Sequence, residues 1–274
     1  METIMISMLY TPCEFCNGRH LEFRQKMWGA LLDKGIAPER FIDEGPQGRL
    51  DLIKQGFGLT NDHQSDQPNI SVPQNQGAIV IKPEMIHAYH QVEEYLTKKV
   101  GVEITGTKNF VYTPEEYWQI SGRVMFEHFN LFPHGALLFL SSIVATSRLI
   151  LFDHQPVHEY LRIFREYNGG MVPDNLLNNR KDQQYVFNRL FVRHEQNTLR
   201  SSITLPVVKR KGMLEMIPDK CPAKCWDFTG SFSNRTPAEN ARTFNGIHSP
   251  NNREELILEL SILSVQLISD YGLQ

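Results

Sequence analysis

Between residues 78 and 170 the sequence alternates apolar, strand-like runs with stretches of helical periodicity, and this alternation limits the fold more than any other feature. The run AIVIK at 78–82 is short and apolar and is followed by Pro83, which predicts a buried strand. The next segment, EMIHAYHQVEEYLTKKVG, has apolar residues at helical spacing and ends in glycine, so we expect a helix there. VEITGTKNFVY then predicts a second strand.

The same alternation continues further along the chain. TPEEYWQISGRVMFEHF begins with a capping box from Thr113 to Glu116 and has Pro114 at the first helical position, which predicts a helix. GALLFLSS and SRLILFD are strand-like, and PVHEYLRIFREYNGG predicts a short helix ended by glycines. A last strand and a closing helix are expected within ARTFNGIHSPNNREELILELSIL. Elements in this order predict an α+β sandwich, in which helices cover an antiparallel sheet.

The segments outside this alternation have a different character. TIMISMLY predicts a strand, and HLEFRQKMWGALLDKG and GRLDLIKQGF predict helices. The polar stretch TNDHQSDQPNISVPQNQG is typical of a linker. We therefore expect an N-terminal appendage with its linker at 1–76 and a main domain at 77–274. Within that domain, an insertion at about 170–230 is expected to contain a helix (DQQYVFNRLFVRHEQ) and a hairpin (SSITLPVVKRKGMLEMI).

Composition excludes several classes of function. Hydrophobic residues make up 41% and charged residues 22% of the 274 residues, which is typical of a globular protein. The formal net charge of -3 gives no electrostatic basis for binding nucleic acid. No apolar run is long enough to span a bilayer, and METIMISMLYTPCEF lacks the basic start of a signal peptide. We expect a cytoplasmic protein that binds neither nucleic acid nor membranes.

His248 lies where the last predicted strand gives way to the closing helix. Such a junction directs a side chain out of a sheet edge and close to a helix N-terminus, where backbone N–H groups attract anions. Neutral imidazole is a good transient carrier of a phosphoryl group, because its ordinary pKa is about 6.5. His248 is therefore interpreted either as a nucleophile for phosphate or as a polar turn residue.

The spacing around His248 adds a second indication. Arg235 and Asn245 are ten positions apart, Asn245 precedes His248 by three, and Glu259 follows His248 by eleven. These intervals, the motif FNGIHS and the strand AIVIKPEMI resemble the nucleoside diphosphate kinases. The resemblance covers roughly residues 77–170 and 230–274, and its C-terminal motif is the specific part.

This resemblance implies a ferredoxin-like βαββαβ sandwich that moves the γ-phosphoryl group of a nucleoside triphosphate, carried with Mg²⁺, through phosphorylated His248 to a nucleoside diphosphate. Glu259 would support the histidine, and the base would stack on an aromatic ring, with Phe126 or Phe129 as the candidates. The family's insertion region meets neighbouring subunits, so the resemblance also implies a homo-oligomer. It assigns contacts with the nucleotide to the following residues: Lys82, Tyr117, Arg162, Arg235 and Asn245.

The sequence departs from the family pattern, and other interpretations stay open. Ser249, Pro250 and Asn251 follow His248, where the family has glycine, serine and aspartate, so the serine that assists the glutamate is replaced by proline. The nucleotide-binding residues can also be ordinary ones: a solvated lysine, a core tyrosine and an exposed helical arginine. Two rivals follow, the same fold acting on another phosphoryl acceptor, and a nucleotide-binding or interaction module without turnover.

The cysteines form two close pairs, which are Cys13 with Cys16 and Cys221 with Cys225. Two such pairs can surround one Zn²⁺ with four thiolates. Both pairs lie in segments that the family resemblance does not cover, so a zinc ion would join the appendage to the insertion. The alternative is four reduced, unrelated thiols, as the cytosol permits.

Overall fold

A computed structural model describes most of the chain in separate stretches. The described residues are 19–60, 70–83, 86, 89–128, 134–168, 176, 181–192 and 246–263. The chain divides into two compact units, of which the first comprises Met1–Ser65, Val111–Thr146 and Met213–Phe244 and the second comprises Asp66–Phe110, Ser147–Gly212 and Asn245–Gln274. Among the described helices, none has the length and apolar character needed to cross a membrane.

The described stretches contain both helices and strands. The helices are α1 (Arg19–Asp33), α2 (Pro38–Asp43), α3 (Pro46–Gly56), α4 (Tyr89–Glu94), α5 (Pro114–Tyr117), α6 (Arg123–Glu127), α7 (Gly135–Val144), α8 (Val157–Asn168), α9 (Gln183–Phe187) and α10 (Arg253–Ile262). The strands are β1 (Gln76–Ile81), β2 (Glu103–Phe110), β3 (Ser147–Asp153) and β4 (Ile247–His248). α4, α5 and α9 continue as π-helix over Tyr95–Val100, Trp118–Gly122 and Asn188–Val192.

The first unit is helical in its described part, and α1 and α3 both pack against α7. α1 and α3 confirm the two helices predicted in the appendage. α5 begins as predicted, since Thr113 and Glu116 form the reciprocal capping box. The unit thus joins the N-terminal helices with the segment 111–146, which the sequence analysis places in the main domain.

The prediction of a strand at GALLFLSS is wrong, because this segment forms α7. Every residue from Gly135 to Ser142 is buried, so the segment has no polar face that would reveal a helical period in the sequence. A short, continuous apolar run fits a buried strand and a buried helix equally well. Its alanine and leucines are also strong helix formers.

The second unit contains a four-stranded sheet in the order β2-β3-β1-β4, and every neighbouring pair is antiparallel. All six residues of the central strand β1 are buried, as its apolar sequence predicts. β1 pairs with β3 from Gln76 opposite Asp153 to Ile81 opposite Arg148. The prediction of helices combined with an antiparallel sheet is confirmed.

The helices of this unit end and begin where local signals indicate. The helical stretch from α4 ends at Gly101, whose φ of 75° is in the left-handed region that favours glycine. The helix predicted from DQQYVFNRLFVRHEQ is present as α9 and its π-helical continuation. The predicted strand TIMISMLY and the predicted hairpin SSITLPVVKRKGMLEMI lie outside the described residues.

Candidate functional site

The position of His248 follows from strand pairing. β4 is two residues long and pairs with the end of β1, so that His248 lies opposite Val80. Beyond the paired residues, the backbone N–H of Lys82 donates to the carbonyl of Gly246 at 2.9 Å. β4 is an outer strand of the described sheet, so His248 lies at its edge. The backbone of Lys82 is therefore held beside the segment that leads into His248.

The imidazole of His248 meets the carboxyl group of Glu259, with 2.7 Å between Nε2 and Oε1. In one straight helix, eleven residues would separate the two by about 16 Å along the axis. The separation is short because α10 starts only at Arg253, after a turn at residues 249–252. Asn252 caps this helix by accepting a hydrogen bond from the N–H of Glu255 at 2.8 Å.

Burial controls the electrostatics of this pair. The side chain of Glu259 is 7% exposed, whereas that of His248 is 23% exposed. Burial raises the pKa of the Glu259 carboxyl, and the neighbouring imidazole acts in the opposite direction. Among the residues that the structure describes, none forms a hydrogen bond with Nδ1 of His248. Glu259 therefore holds one ring nitrogen and leaves the other as the candidate nucleophile.

A second carboxyl group lies close to this pair. Glu255 is one helical turn before Glu259, and His248, Glu255 and Glu259 each offer a ligand atom within 4.8 Å of the others. One oxygen of Glu255 also accepts the backbone N–H of Asn251 at 2.8 Å. Imidazole nitrogen and carboxylate oxygen are common ligands of divalent metals. Glu255 is not among the site residues predicted from the sequence, although its spacing of four from Glu259 puts both on one helix face.

The other predicted nucleotide-binding residues in described segments have local partners. Tyr117 is 4% exposed and packs edge-on against Tyr112 and Phe139, with ring centroids 5.2 and 5.8 Å away, in the core of the first unit. Phe126, also in the first unit, lies 4.8 Å from the ammonium of Lys54. Their assigned contacts with a nucleotide stay predictions.

Arg162 is an exposed residue of α8 in the second unit. Its guanidinium forms ion pairs with Glu159, at 2.8 Å, and with Glu166, one turn away on either side along the same helix. Both ion pairs are local to the helix surface, as the spacing of the three residues permits. The structure therefore shows Arg162 in a helical ion-pair network, and its contact with phosphate stays a prediction.

Several predicted residues lie outside the described part of the chain. They are Arg235, Asn245, Phe129, Cys13, Cys16, Cys221 and Cys225. Their assigned roles in nucleotide and zinc binding stay predictions.

Two side-chain amides that were not predicted from the sequence contact the turn after His248. Gln184 and Asn188 are spaced four apart on the helical stretch 183–192 and are 2% and 1% exposed. Both donate hydrogen bonds to Ser249 and Pro250. The available signal was a pair of amides at helical spacing, next to the apolar residues Val186, Phe187, Leu190 and Phe191 of the same stretch.

Comparisons with known proteins identify no family for this chain. No family model matches it, and no curated protein matches it. Among solved structures, the orthorhombic C222 crystal form of the Aquifex aeolicus nucleoside diphosphate kinase is similar over 69% of this chain and 94% of that chain. The TM-score is 0.36 and the sequence identity is 14%. At this level the chain resembles that kinase only weakly, and its function has to be inferred from the geometry around His248.

Proposed function

We propose that this protein is a phosphotransferase that moves the γ-phosphoryl group of a nucleoside triphosphate to a nucleoside diphosphate through a phosphohistidine at His248. The observation that carries the proposal is the 2.7 Å contact between Nε2 of His248 and buried Glu259. A carboxylate on Nε2 fixes the orientation of the ring and the position of its proton. Nδ1 then keeps its lone pair for attack on phosphorus.

In this reaction Nδ1 of His248 forms a bond to the γ-phosphorus as the bond to the β-phosphate oxygen breaks, and the nucleoside diphosphate leaves with that electron pair. The phosphorylated ring gains positive charge, which Glu259 stabilises through the hydrogen bond from Nε2–H. Transfer to a second nucleoside diphosphate reverses the same step. No separate acid or base is required, since the proton on Nε2 stays on the ring throughout.

Charge stabilisation on the phosphates is assigned to Lys82, Arg162 and Arg235, with Asn245 on the sugar and phosphate. The backbone contact between Lys82 and Gly246 supports a position of Lys82 near the reacting histidine. Mg²⁺ enters with the triphosphate as part of the substrate. The base stacks on an aromatic ring.

The fold we propose is a ferredoxin-like βαββαβ sandwich in the second unit. The order β2-β3-β1-β4 supports this fold. β1 and β2, which α4 connects, lie on either side of β3, and β3 and β4, with α8 between them in sequence, lie on either side of β1. The segment that connects β2 and β3 carries the helices α5 to α7 and belongs to the first unit.

Labelling with a γ-³²P nucleoside triphosphate tests this function. The wild-type chain should take up label that is lost in acid and kept in alkali, and unlabelled nucleoside diphosphate should remove it. His248→Ala should abolish labelling. His158→Ala is the matched control, since His158 is an exposed histidine of α8. Acid-stable label, or full labelling of His248→Ala, would refute the proposal. Acid-labile label on His248 that nucleoside diphosphate cannot remove would favour a different phosphoryl acceptor.

A second candidate function is divalent metal binding, which the cluster of His248, Glu255 and Glu259 favours. A metal ligated through Nε2 would replace the direct contact between His248 and Glu259, and the cluster would then bind a metal ion instead of carrying a phosphoryl group. Titration with Zn²⁺ or Mn²⁺ separates the two functions. Glu255→Gln should lower metal affinity if the cluster is a metal site, and should leave phosphohistidine formation intact if His248 is a nucleophile.

A further inference from the structure

The turn that follows His248 has buried backbone carbonyls that need hydrogen-bond donors. Ser249 is 3% exposed, and Pro250 is also buried. Proline has no N–H, so this turn has one donor fewer with which to satisfy its own carbonyl groups. Buried carbonyls that lack a partner are destabilising, and native structures pair nearly all of them. Donors from elsewhere in the fold are therefore required here.

Gln184 and Asn188 provide these donors, and we refer to them as the amide pair. The side-chain amide of Gln184 donates to the hydroxyl of Ser249 and to the carbonyl of Pro250, both at 3.1 Å. The amide of Asn188 donates to the carbonyls of Ser249 and Pro250, at 2.9 and 2.7 Å. The hydroxyl and carbonyl of Ser249 and the carbonyl of Pro250 are thus each bonded to a side chain more than sixty positions away in sequence.

The orientation of Gln184 is itself determined by a buried network. Its Oε1 only accepts hydrogen bonds and lies 3.0 Å from Nε2 of His154, so this nitrogen carries the proton. Nδ1 of His154 then accepts from the hydroxyl of Tyr160 at 2.9 Å, and that hydroxyl accepts from the N–H of Gln155 at 3.1 Å. The network leaves the NH₂ group of Gln184 directed at the turn.

A further contact ties the same helix to the start of α10. One carboxylate oxygen of Asp182 caps α9 by accepting the N–H of Tyr185, and the other accepts the N–H of Arg253, both at 2.9 Å. The segment from Ser249 to Arg253 is therefore bound at both of its ends: Gln184 and Asn188 contact its first two residues, and the capping residue Asp182 contacts Arg253. His248 is fixed by β1 on one side and by this segment on the other.

We propose that Gln184 and Asn188 are positioning residues for His248. Their hydrogen bonds to the carbonyls of Ser249 and Pro250 fix the turn that follows His248. The fixed turn sets the direction of the His248 imidazole and the position of α10, which places Glu259 beside Nε2. This proposal rests on the proposed function of His248. It assigns a role in the site to the helical stretch 183–192, which lies within the insertion predicted at about 170–230. A ring displaced by about 1 Å can lose roughly 100-fold in rate, so small changes in this turn matter.

The test compares three variants that each remove one amide from the same helical stretch. Gln184→Met and Asn188→Leu remove the donors to the turn without adding charge. Gln183→Met is the matched control, because Gln183 donates to the carbonyl of Gln155 at 3.2 Å and does not contact the turn. Each variant is examined as the full chain, well below its thermal midpoint, by NMR of the His248 imidazole and by the single-turnover rate of labelling at saturating nucleoside triphosphate.

We expect Gln184→Met and Asn188→Leu to change the His248 imidazole chemical shifts and to lower the labelling rate roughly 10- to 100-fold, with nucleotide affinity within about twofold of the wild type. Gln183→Met should change neither. Unchanged His248 signals in the two variants, or equal changes in all three, would overturn the proposal. If the wild-type chain takes no label while the two variants still change the His248 signals selectively, the positioning role stands and the phosphotransferase function fails.

Discussion

Nε2 of His248 and Oε1 of Glu259 are 2.7 Å apart across the junction between the outer strand β4 and helix α10. The turn between them reverses the chain, so a residue on the second turn of α10 faces back towards the strand that precedes the helix. Glu259 is buried and His248 is partly exposed, so Nε2 is held by the protein, and in the proposed function Nδ1 is the nitrogen that meets the substrate. This division between the two nitrogens is what a phosphoryl carrier requires.

Replacing Glu259 with glutamine tests the charge of that contact. The amide oxygen still accepts a hydrogen bond, but a neutral acceptor is worth about 1 kcal/mol less than a charged one. We expect labelling of His248 to slow roughly fivefold, since a factor of ten corresponds to about 1.4 kcal/mol. The thermal midpoint should change little, because the neutral amide avoids the burial cost that raises the pKa of this carboxyl, and this gain offsets the weaker hydrogen bond.

The control for this change is Glu254→Gln, an exposed position in the first turn of the same helix. It should label at the wild-type rate. A Glu259→Gln variant that also labels at the wild-type rate would show that the carboxylate charge plays no part in the reaction.

His154 should make the fold sensitive to acid. Burial lowers the pKa of His154 from 6.5 to about 4, with a smaller opposing contribution from the hydrogen bond to Gln184. The folded state favours the neutral ring, whereas the unfolded chain binds a proton below pH 6.5, so stability is lost as the pH falls from 6.5 towards 4. The gap between these two values corresponds to roughly 3 kcal/mol of unfolding free energy.

Urea unfolding at several pH values measures this loss. His154→Gln has no titrating ring, and its unfolding free energy should depend less on pH between 6.5 and 4 than that of the wild type. Parallel curves for the two proteins would mean that His154 is not the acid-sensitive group. His158→Gln, an exposed change on α8, should follow the wild-type curve.

Lys82 should contribute to nucleotide affinity and little to stability. Lys82→Met removes the ammonium group but keeps the backbone hydrogen bond to Gly246. Loss of one charge-assisted contact with phosphate is worth about 1.5–3 kcal/mol, so calorimetry should show roughly 10- to 100-fold weaker binding of the triphosphate. Lys108→Met on β2, at the opposite side of the described sheet, should bind normally. If Lys82→Met binds the triphosphate as tightly as Lys108→Met and the wild type do, the phosphate site lies elsewhere.

Gly77 should tolerate no side chain. A Cβ atom at this position would lie 2.5 Å from the ring of Phe152 and 2.7 Å from that of His154. Gly77→Ala therefore overpacks the contact between β1 and β3, and we expect it to lower the unfolding free energy by about 1–3 kcal/mol in denaturant titrations. Ala78→Gly on the same strand removes a methyl group. Its unfolding free energy shows the effect of a change on β1 that does not overpack the contact. A Gly77→Ala variant as stable as the wild type would show that these rings move apart at little cost.

The cysteine pairs predict one structural Zn²⁺ bound by Cys13, Cys16, Cys221 and Cys225. Protein purified without added zinc should contain one equivalent, and Cys13→Ser and Cys221→Ser should each lose it. Four thiolates leave no position for water, so we expect no effect of the ion on the chemistry at His248. Absence of metal, or zinc kept after removal of either pair, would contradict this prediction.

Local signals in the sequence determined the elements whose identity depends on near neighbours. The capping box at Thr113, the glycine that ends the helix at Gly101 and the buried strand β1 could all be read directly, because caps, left-handed φ angles and apolar runs act over a few residues. The resemblance around His248 also implied that Glu259 supports the histidine, and the structure brings the two side chains into contact.

Tertiary structure decided what the local signals left open. The segment at 135–142, which is apolar up to two serines at its end, forms helix α7 and is buried throughout, so no polar face in its own sequence reveals the helical period. Glu255 lies close to His248 because the turn at 249–252 reverses the chain between them. Asn188 and Pro250 are 62 positions apart in sequence. The amide of Asn188 donates to the carbonyl of Pro250 because this carbonyl is buried and needs a donor, which the packing of the helical stretch 183–192 provides.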